Sequence, residues 1–142
     1  MKIWFDMDGT IANLYGVENW LDKLRNFDAS PYACAKPLLN LSLLARLLHK
    51  AQANGHKVGI ISWLSKNSNF DYDNKVTLAK MEWLRIHLPS VEWDTIYIVP
   101  YGMDKKGVCG DGILFDDEEK NRNNWGNGAH TPNEIIEVLK AV

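Results

Sequence analysis

Four short apolar runs punctuate this chain, and each stops abruptly. Ile3-Trp4-Phe5 stops at Asp6, residues 57–61 at Ser62, residues 95–99 at Pro100, and residues 112–115 at Asp116-Asp117. Runs of this length bounded by turn residues are expected to be buried strands. Between them lie helical patterns. Residues 37–54 carry Leu41, Leu44, Ala45 and Leu48 as an apolar stripe, opened by Pro37 and closed by Gly55. Residues 74–88 place Val76, Ala79, Trp83 and Ile86 on one face and stop at Pro89. A polar loop is expected over residues 65–73, and a short helix over residues 18–27 that Ser30-Pro31 breaks. Thr131-Pro132-Asn133-Glu134 pairs a capping box with proline at the first helical position, opening a last helix to about residue 141. Strands separated by helices need crossovers. The expected fold is therefore α/β: a Rossmann-like three-layer α/β/α arrangement around a mainly parallel sheet. In such sheets ligands bind beyond the carboxyl ends of the strands.

Size and charge narrow the possibilities. With 142 residues the chain suits one domain, and that length buries a core without disulfide or metal staples. A net charge of −2 disfavours a duplex nucleic-acid partner, which calls for a basic surplus. No apolar run reaches the length of a membrane span, and aspartates interrupt the N-terminal apolar stretch where a signal peptide needs its core, so no membrane partner and a cytoplasmic location are expected. Cys34 and Cys109 lie far from any CxxC pairing and read as reduced thiols. His49, His56, His87 and His130 have no ligand spacing.

The strand ends hold the chemistry. Asp6-Met7-Asp8-Gly9-Thr10 follows the first strand, Ser62 the second, Lys105 and Lys106 the third, and Asp116-Asp117 the fourth. Crowded carboxylates raise one another's pKa unless a cation joins them, and a hard, oxygen-seeking cation such as Mg²⁺ suits them. The cation and a lysine then hold a phosphate group. One carboxylate is free to attack phosphorus, and a second, two residues on, is placed to protonate the leaving oxygen. A serine hydroxyl and backbone N–H groups steady the remaining oxygens.

These residues resemble the haloacid dehalogenase superfamily of phosphohydrolases. Residues 3–11 match its first motif, Val58-Gly59-Ile60-Ile61-Ser62 its second, Lys105 or Lys106 its third, and Ile113-Leu114-Phe115-Asp116-Asp117 its fourth, in family order. The resemblance implies Asp6 as nucleophile and metal ligand, and Asp8 as general acid and base with its backbone carbonyl on the metal. It implies Asp116 as a direct Mg²⁺ ligand, Asp117 as one acting through water, and Ser62 with the lysine as phosphate ligands. Lys105 lies six positions before Asp111, a spacing similar to the 5′(3′)-deoxyribonucleotidase branch, which also has a counterpart to Asn121-Arg122-Asn123-Asn124-Trp125. That branch carries a sizeable helical cap between the first two motifs. Only residues 13–36 are left here for a mini-cap, so an open site, or a second copy of the chain supplying the cap, is expected.

The expected activity is Mg²⁺-dependent phosphomonoester hydrolysis through an aspartyl-phosphate. The substrate is a small phosphorylated metabolite, with a (deoxy)nucleoside monophosphate as the branch-specific candidate. Two alternatives remain beside it: a catalytically degenerate binding or scaffold domain, and a polynucleotide 3′-phosphatase. A receiver-type signalling domain fits poorly, because here the DxD pair comes first and the double aspartate last. Trp4 and Trp83 read as core, whereas Tyr15, Trp20 and Trp63 are candidates for stacking beside the site. Glu118 and Glu119 read as a solvated face, and Lys106 as a surface lysine.

Overall fold

The structure is a computed structural model describing residues 1–142. Five parallel strands form the sheet: β1 (Lys2–Phe5), β4 (Lys57–Trp63), β5 (Thr95–Val99), β6 (Ile113–Phe115) and β7 (Ala129–His130). Their order is β5-β4-β1-β6-β7. The chain moves outward from β1 through β4 to β5, then returns to the other side of β1 for β6 and β7. The direction reverses between β1 and β6, and a crevice opens at their carboxyl ends, where α/β sheets bind ligands. Asp6 and Asp116 stand at those two ends. The Asp6 backbone N–H donates to the Phe115 carbonyl at 2.9 Å, so the sheet itself fixes their spacing.

Alternation along the strands assigns the two faces. Ile3, Phe5, Val58 and Ile60 point into the larger core with α3 (Leu41–Ala53), α4 (Phe70–His87) and α7 (Ile135–Ala141). Trp4, Ile61 and Leu114 point the other way, onto Cys109 of α5 (Lys105–Cys109) and Trp125 of α6 (Glu119–Trp125). The three-layer α/β/α arrangement is present, with the four strands that the apolar runs announce. Trp4 also needs its neighbour to be small. A Cβ on Gly59 would lie 2.6 Å from the Trp4 ring and 3.0 Å from the Thr95 carbonyl. Gly59→Ala is expected to cost about 1–3 kcal/mol by overpacking, read as a fall of several degrees in Tm; an unchanged Tm would mean that the Trp4 ring can move aside.

Several boundaries differ from expectation. The α3 helix starts at Leu41, because Asn40 caps it by accepting from the Leu43 N–H at 3.1 Å, and Pro37 instead lies in a short strand. The α4 helix starts at Phe70, within the expected polar loop, because Asn69 caps it by accepting from the Tyr72 N–H at 2.8 Å. Ile86 is exposed; the buried stripe of α4 is Tyr72, Val76, Lys80, Trp83 and Leu84. Ser30-Pro31 opens a helix rather than only breaking one, with proline in the first turn. Two additional helices, α5 and α6, and the fifth strand were not foreseen. The last helix is preceded by a 3₁₀ turn over Pro132–Glu134.

Residues between β1 and α3 form the insert. It holds α1 (Trp20–Arg25) and α2 (Ser30–Cys34). Its entry and exit, β2 (Ala12–Asn13) and β3 (Lys36–Pro37), pair antiparallel with each other. The insert packs on α4 through a separate cluster of Leu14, Tyr32, Tyr72 and Val76, and the Tyr72 hydroxyl donates to the Asp28 carbonyl at 2.8 Å. No helix is long and apolar enough to cross a membrane. Cys34 and Cys109 are both free.

Candidate active site

The turn after β1 sorts its side chains by parity. Met7 and Ile11 are buried in the core, and the backbone N–H groups of Thr10, Ile11 and Ala12 all converge on the Met7 carbonyl at 3.0–3.1 Å. Asp6, Asp8 and Thr10 therefore turn towards the crevice. Gly9 has φ +80°, and a Cβ there would lie 2.3 Å from Asp117 Oδ2, so the motif's glycine is required both by the backbone and by the neighbouring carboxylate.

The structure brings Asp6, Lys105, Asp116 and Asp117 together. The Lys105 ammonium donates to Asp6 Oδ1 at 3.0 Å and to Asp116 Oδ2 at 2.6 Å. One carboxylate oxygen from each of Asp6, Asp116 and Asp117 falls within a single 4.8 Å group. Burial, reinforced by the charge of Asp6, pushes the carboxyl groups of Asp116 and Asp117 above the usual carboxylate range. Three such groups hold their charge together only with a cation among them, and an all-oxygen set selects a hard divalent ion. Asp6, Asp116 and Asp117 are thus the residues that could hold a metal ion. The carboxylate of Asp8 is not in this group.

Lys105 is buried, and burial alone would favour its neutral form. The charges of Asp6 and Asp116 and the hydrogen bonds to them outweigh that, holding its pKa above the ordinary lysine value. An ammonium has three N–H donors. Two are used here, leaving one without a carboxylate partner. Lys106, by contrast, pairs with the fully exposed Asp111 at 3.1 Å. Of the two lysines, Lys105 is the one that bridges carboxylates of the cluster.

Three residues of the cluster were missed from sequence. Thr10 Oγ1 lies 3.1 Å from Asp6 Oδ2 and 3.3 Å from Asp117 Oδ1, and accepts from the Asp117 N–H at 3.2 Å. Its position within the first motif was the available signal. Asn121 Nδ2 donates to Asp116 Oδ2 at 3.2 Å. Lys80 is the third, with an ammonium 2.8 Å from Asp8 Oδ2 and 2.6 Å from Ser62 Oγ. Its signal was a charge on the apolar stripe of α4 at i+4 from Val76 and i−3 from Trp83. Ser62 and Asp8 therefore meet through Lys80. Burial raises the Asp8 carboxyl above its ordinary value, the Lys80 ammonium opposes this, and the charge of Asp6 adds to it.

A cavity of about 450 Å³ opens over Asp6, Asp8 and Lys105. The insert forms one wall through Leu14, Tyr15, Trp20 and Tyr32, and Trp63 and Tyr101 contribute aromatic rings from the sheet side. Tyr15 packs edge-on against Trp20, and Trp63 lies 5.0 Å from Tyr101, centroid to centroid. Residues 13–36 therefore border the site. Glu118, expected on a solvated face, is half-buried and also lines this cavity, because it caps α6 directly after Asp117.

Among solved structures, a chain of the Pnkp1/Rnl/Hen1 complex is similar, with a TM-score of 0.57 at 18% identity, over 92% of this chain and 44% of that one. At that identity the likeness concerns the fold, a parallel α/β sheet compatible with the haloacid dehalogenase resemblance. This chain spans less than half of that neighbour's length. No family model matches the chain, and no curated protein does.

Proposed function

We propose that this protein is a Mg²⁺-dependent phosphomonoester hydrolase of the haloacid dehalogenase type. The observation that carries this reading is the convergence of Asp6, Asp116 and Asp117 around the Lys105 ammonium at the sheet's switch point. Asp6, Asp116 and Asp117 would hold the ion, which supplies positive charge to the phosphate oxygens. Lys105, through its remaining N–H, and Ser62 hold the same phosphate. An Asp6 oxygen attacks phosphorus as the bond to the leaving oxygen breaks, and Asp8 gives that oxygen its proton. Asp8, now a carboxylate, takes a proton from the water that attacks the aspartyl-phosphate, which frees Asp6 and inorganic phosphate.

The aromatic wall supports a substrate whose alcohol carries a flat, apolar ring, which favours a nucleoside monophosphate over a plain sugar phosphate. The test is phosphate release from a panel of nucleoside monophosphates and sugar phosphates. Release is expected with Mg²⁺, lost with EDTA and restored by excess Mg²⁺, with the nucleotides preferred. Equal rates with and without the chelator would overturn the metal assignment. A preference for sugar phosphates would overturn the substrate assignment.

A further inference from the structure

Asp8 and Ser62 are both held from behind by Lys80. It rises from the middle of α4, and its side chain is 1% exposed. Its ammonium donates at 2.8 Å to Asp8 Oδ2, at 2.6 Å to Ser62 Oγ and at 2.7 Å to the Trp63 carbonyl. Those three acceptors exhaust its three N–H donors. Lys80 thus has nothing left to offer a phosphate, unlike Lys105.

The directions of these bonds matter. An ammonium only donates, so Ser62 Oγ must accept from it, and the serine's own hydrogen points elsewhere. That hydrogen is left for the phosphate oxygen that the proposed mechanism assigns to Ser62. Asp8 Oδ2 is likewise occupied, leaving Oδ1 to exchange a proton with the substrate. The lysine is itself held by the insert: its ammonium lies 5.0 Å from the centroid of the Tyr32 ring, and the Tyr32 and Ser65 hydroxyls are hydrogen-bonded.

We propose that Lys80 is a positioning residue for the phosphoryl-transfer step. It fixes Asp8 in the orientation from which it protonates the leaving oxygen, and it turns the Ser62 hydroxyl towards the transferred phosphate. The proposal rests on the phosphatase reading and deepens it.

A comparison of leaving groups tests it. An alkyl phosphate needs its leaving oxygen protonated, whereas p-nitrophenyl phosphate departs as a stable phenolate. The constant kcat/KM reports on steps up to release of the alcohol, so it isolates the acid role of Asp8 from its later role as base. In the wild type, Lys80→Met, Asp8→Asn and the double variant, kcat/KM is measured for both substrates with Mg²⁺. Lys80→Met is expected to lower the alkyl value about 100-fold or more and the aryl value about tenfold or less, within the usual span of acid catalysis. Added to Asp8→Asn, it should leave the alkyl-to-aryl ratio unchanged. Thermal melts establish that each variant is folded, and Lys80→Gln replaces Lys80→Met should the latter not fold. Equal losses on both substrates, or a further drop in the ratio on the Asp8→Asn background, would overturn the proposal. A wild-type protein that hydrolyses neither substrate would instead overturn the phosphatase reading, and the role of Lys80 with it.

Discussion

Asp6→Asn is expected to reduce turnover of any phosphomonoester by at least about a thousandfold while leaving the fold intact, because an amide oxygen is a poor nucleophile and its addition to phosphorus gives no stable acyl phosphate. Asparagine has the volume of aspartate, and its oxygen can still accept from the Lys105 ammonium, now 3.0 Å from Asp6 Oδ1. The substitution also removes one negative charge from a cluster that raises the carboxyl pKa of Asp116 and Asp117. The Tm should therefore stay within a few degrees of wild type, or rise. Turnover within tenfold of wild type would rule out Asp6 as the attacking group.

Lys105→Met is expected to give the largest loss of stability. The Lys105 side chain is 4% exposed and its ammonium bridges Asp6 and Asp116, of which Asp116 is fully buried. Methionine fills much of the space but leaves two buried carboxyl groups facing each other without their counter-charge. Removing one partner from a buried pair costs about 3–5 kcal/mol, roughly 10 °C or more in Tm for a domain of this size. The sign of the Mg²⁺ effect follows from the same geometry. A cation placed among Asp6, Asp116 and Asp117 supplies the missing charge, so Mg²⁺ should raise the Tm of the variant. Saturation at a hundred times Kd contributes about 2.7 kcal/mol. Melting curves with and without Mg²⁺ read this directly. A variant as stable as wild type without the ion would show that Lys105 does not hold the two carboxylates together.

How much of this was legible in the chain depended on how local the cause was. The strands announced themselves because an apolar run that meets Asp6, Ser62 or Asp116 has to stop being buried there. The site residues on those ends were visible for the same reason. Caps were harder. Pro37 and Asn40 both qualify to open α3, and only the pairing of Lys36–Pro37 with Ala12–Asn13 removes the proline from the helix. The β7 strand has two residues, Ala129 and His130, and no apolar run to mark it; its place comes from backbone bonds such as Leu114 N–H to the Gly128 carbonyl at 3.0 Å. Lys80 was hidden by distance. Its partners Asp8 and Ser62 belong to two other segments, and a lysine in a helical stripe reveals its purpose only when β1 and β4 lie side by side.

The short ribbon in which Ala12 faces Pro37 and Asn13 faces Lys36 has a bearing on how such a protein changes over time. The excursion begins and ends at almost the same point, so it is a loop whose ends are already closed. Lengthening such a loop carries only a small, logarithmic entropy cost. The scaffold can thus accept larger or differently shaped excursions without disturbing the strands that carry Asp6 and Asp116. The constraint falls elsewhere, on α4, where any replacement has to cover Tyr72 and Val76 and offer Lys80 a neighbour as Tyr32 does. The cavity wall can change by exchange of that excursion while Asp6 and Asp116 stay in place, and α4 sets which exchanges succeed.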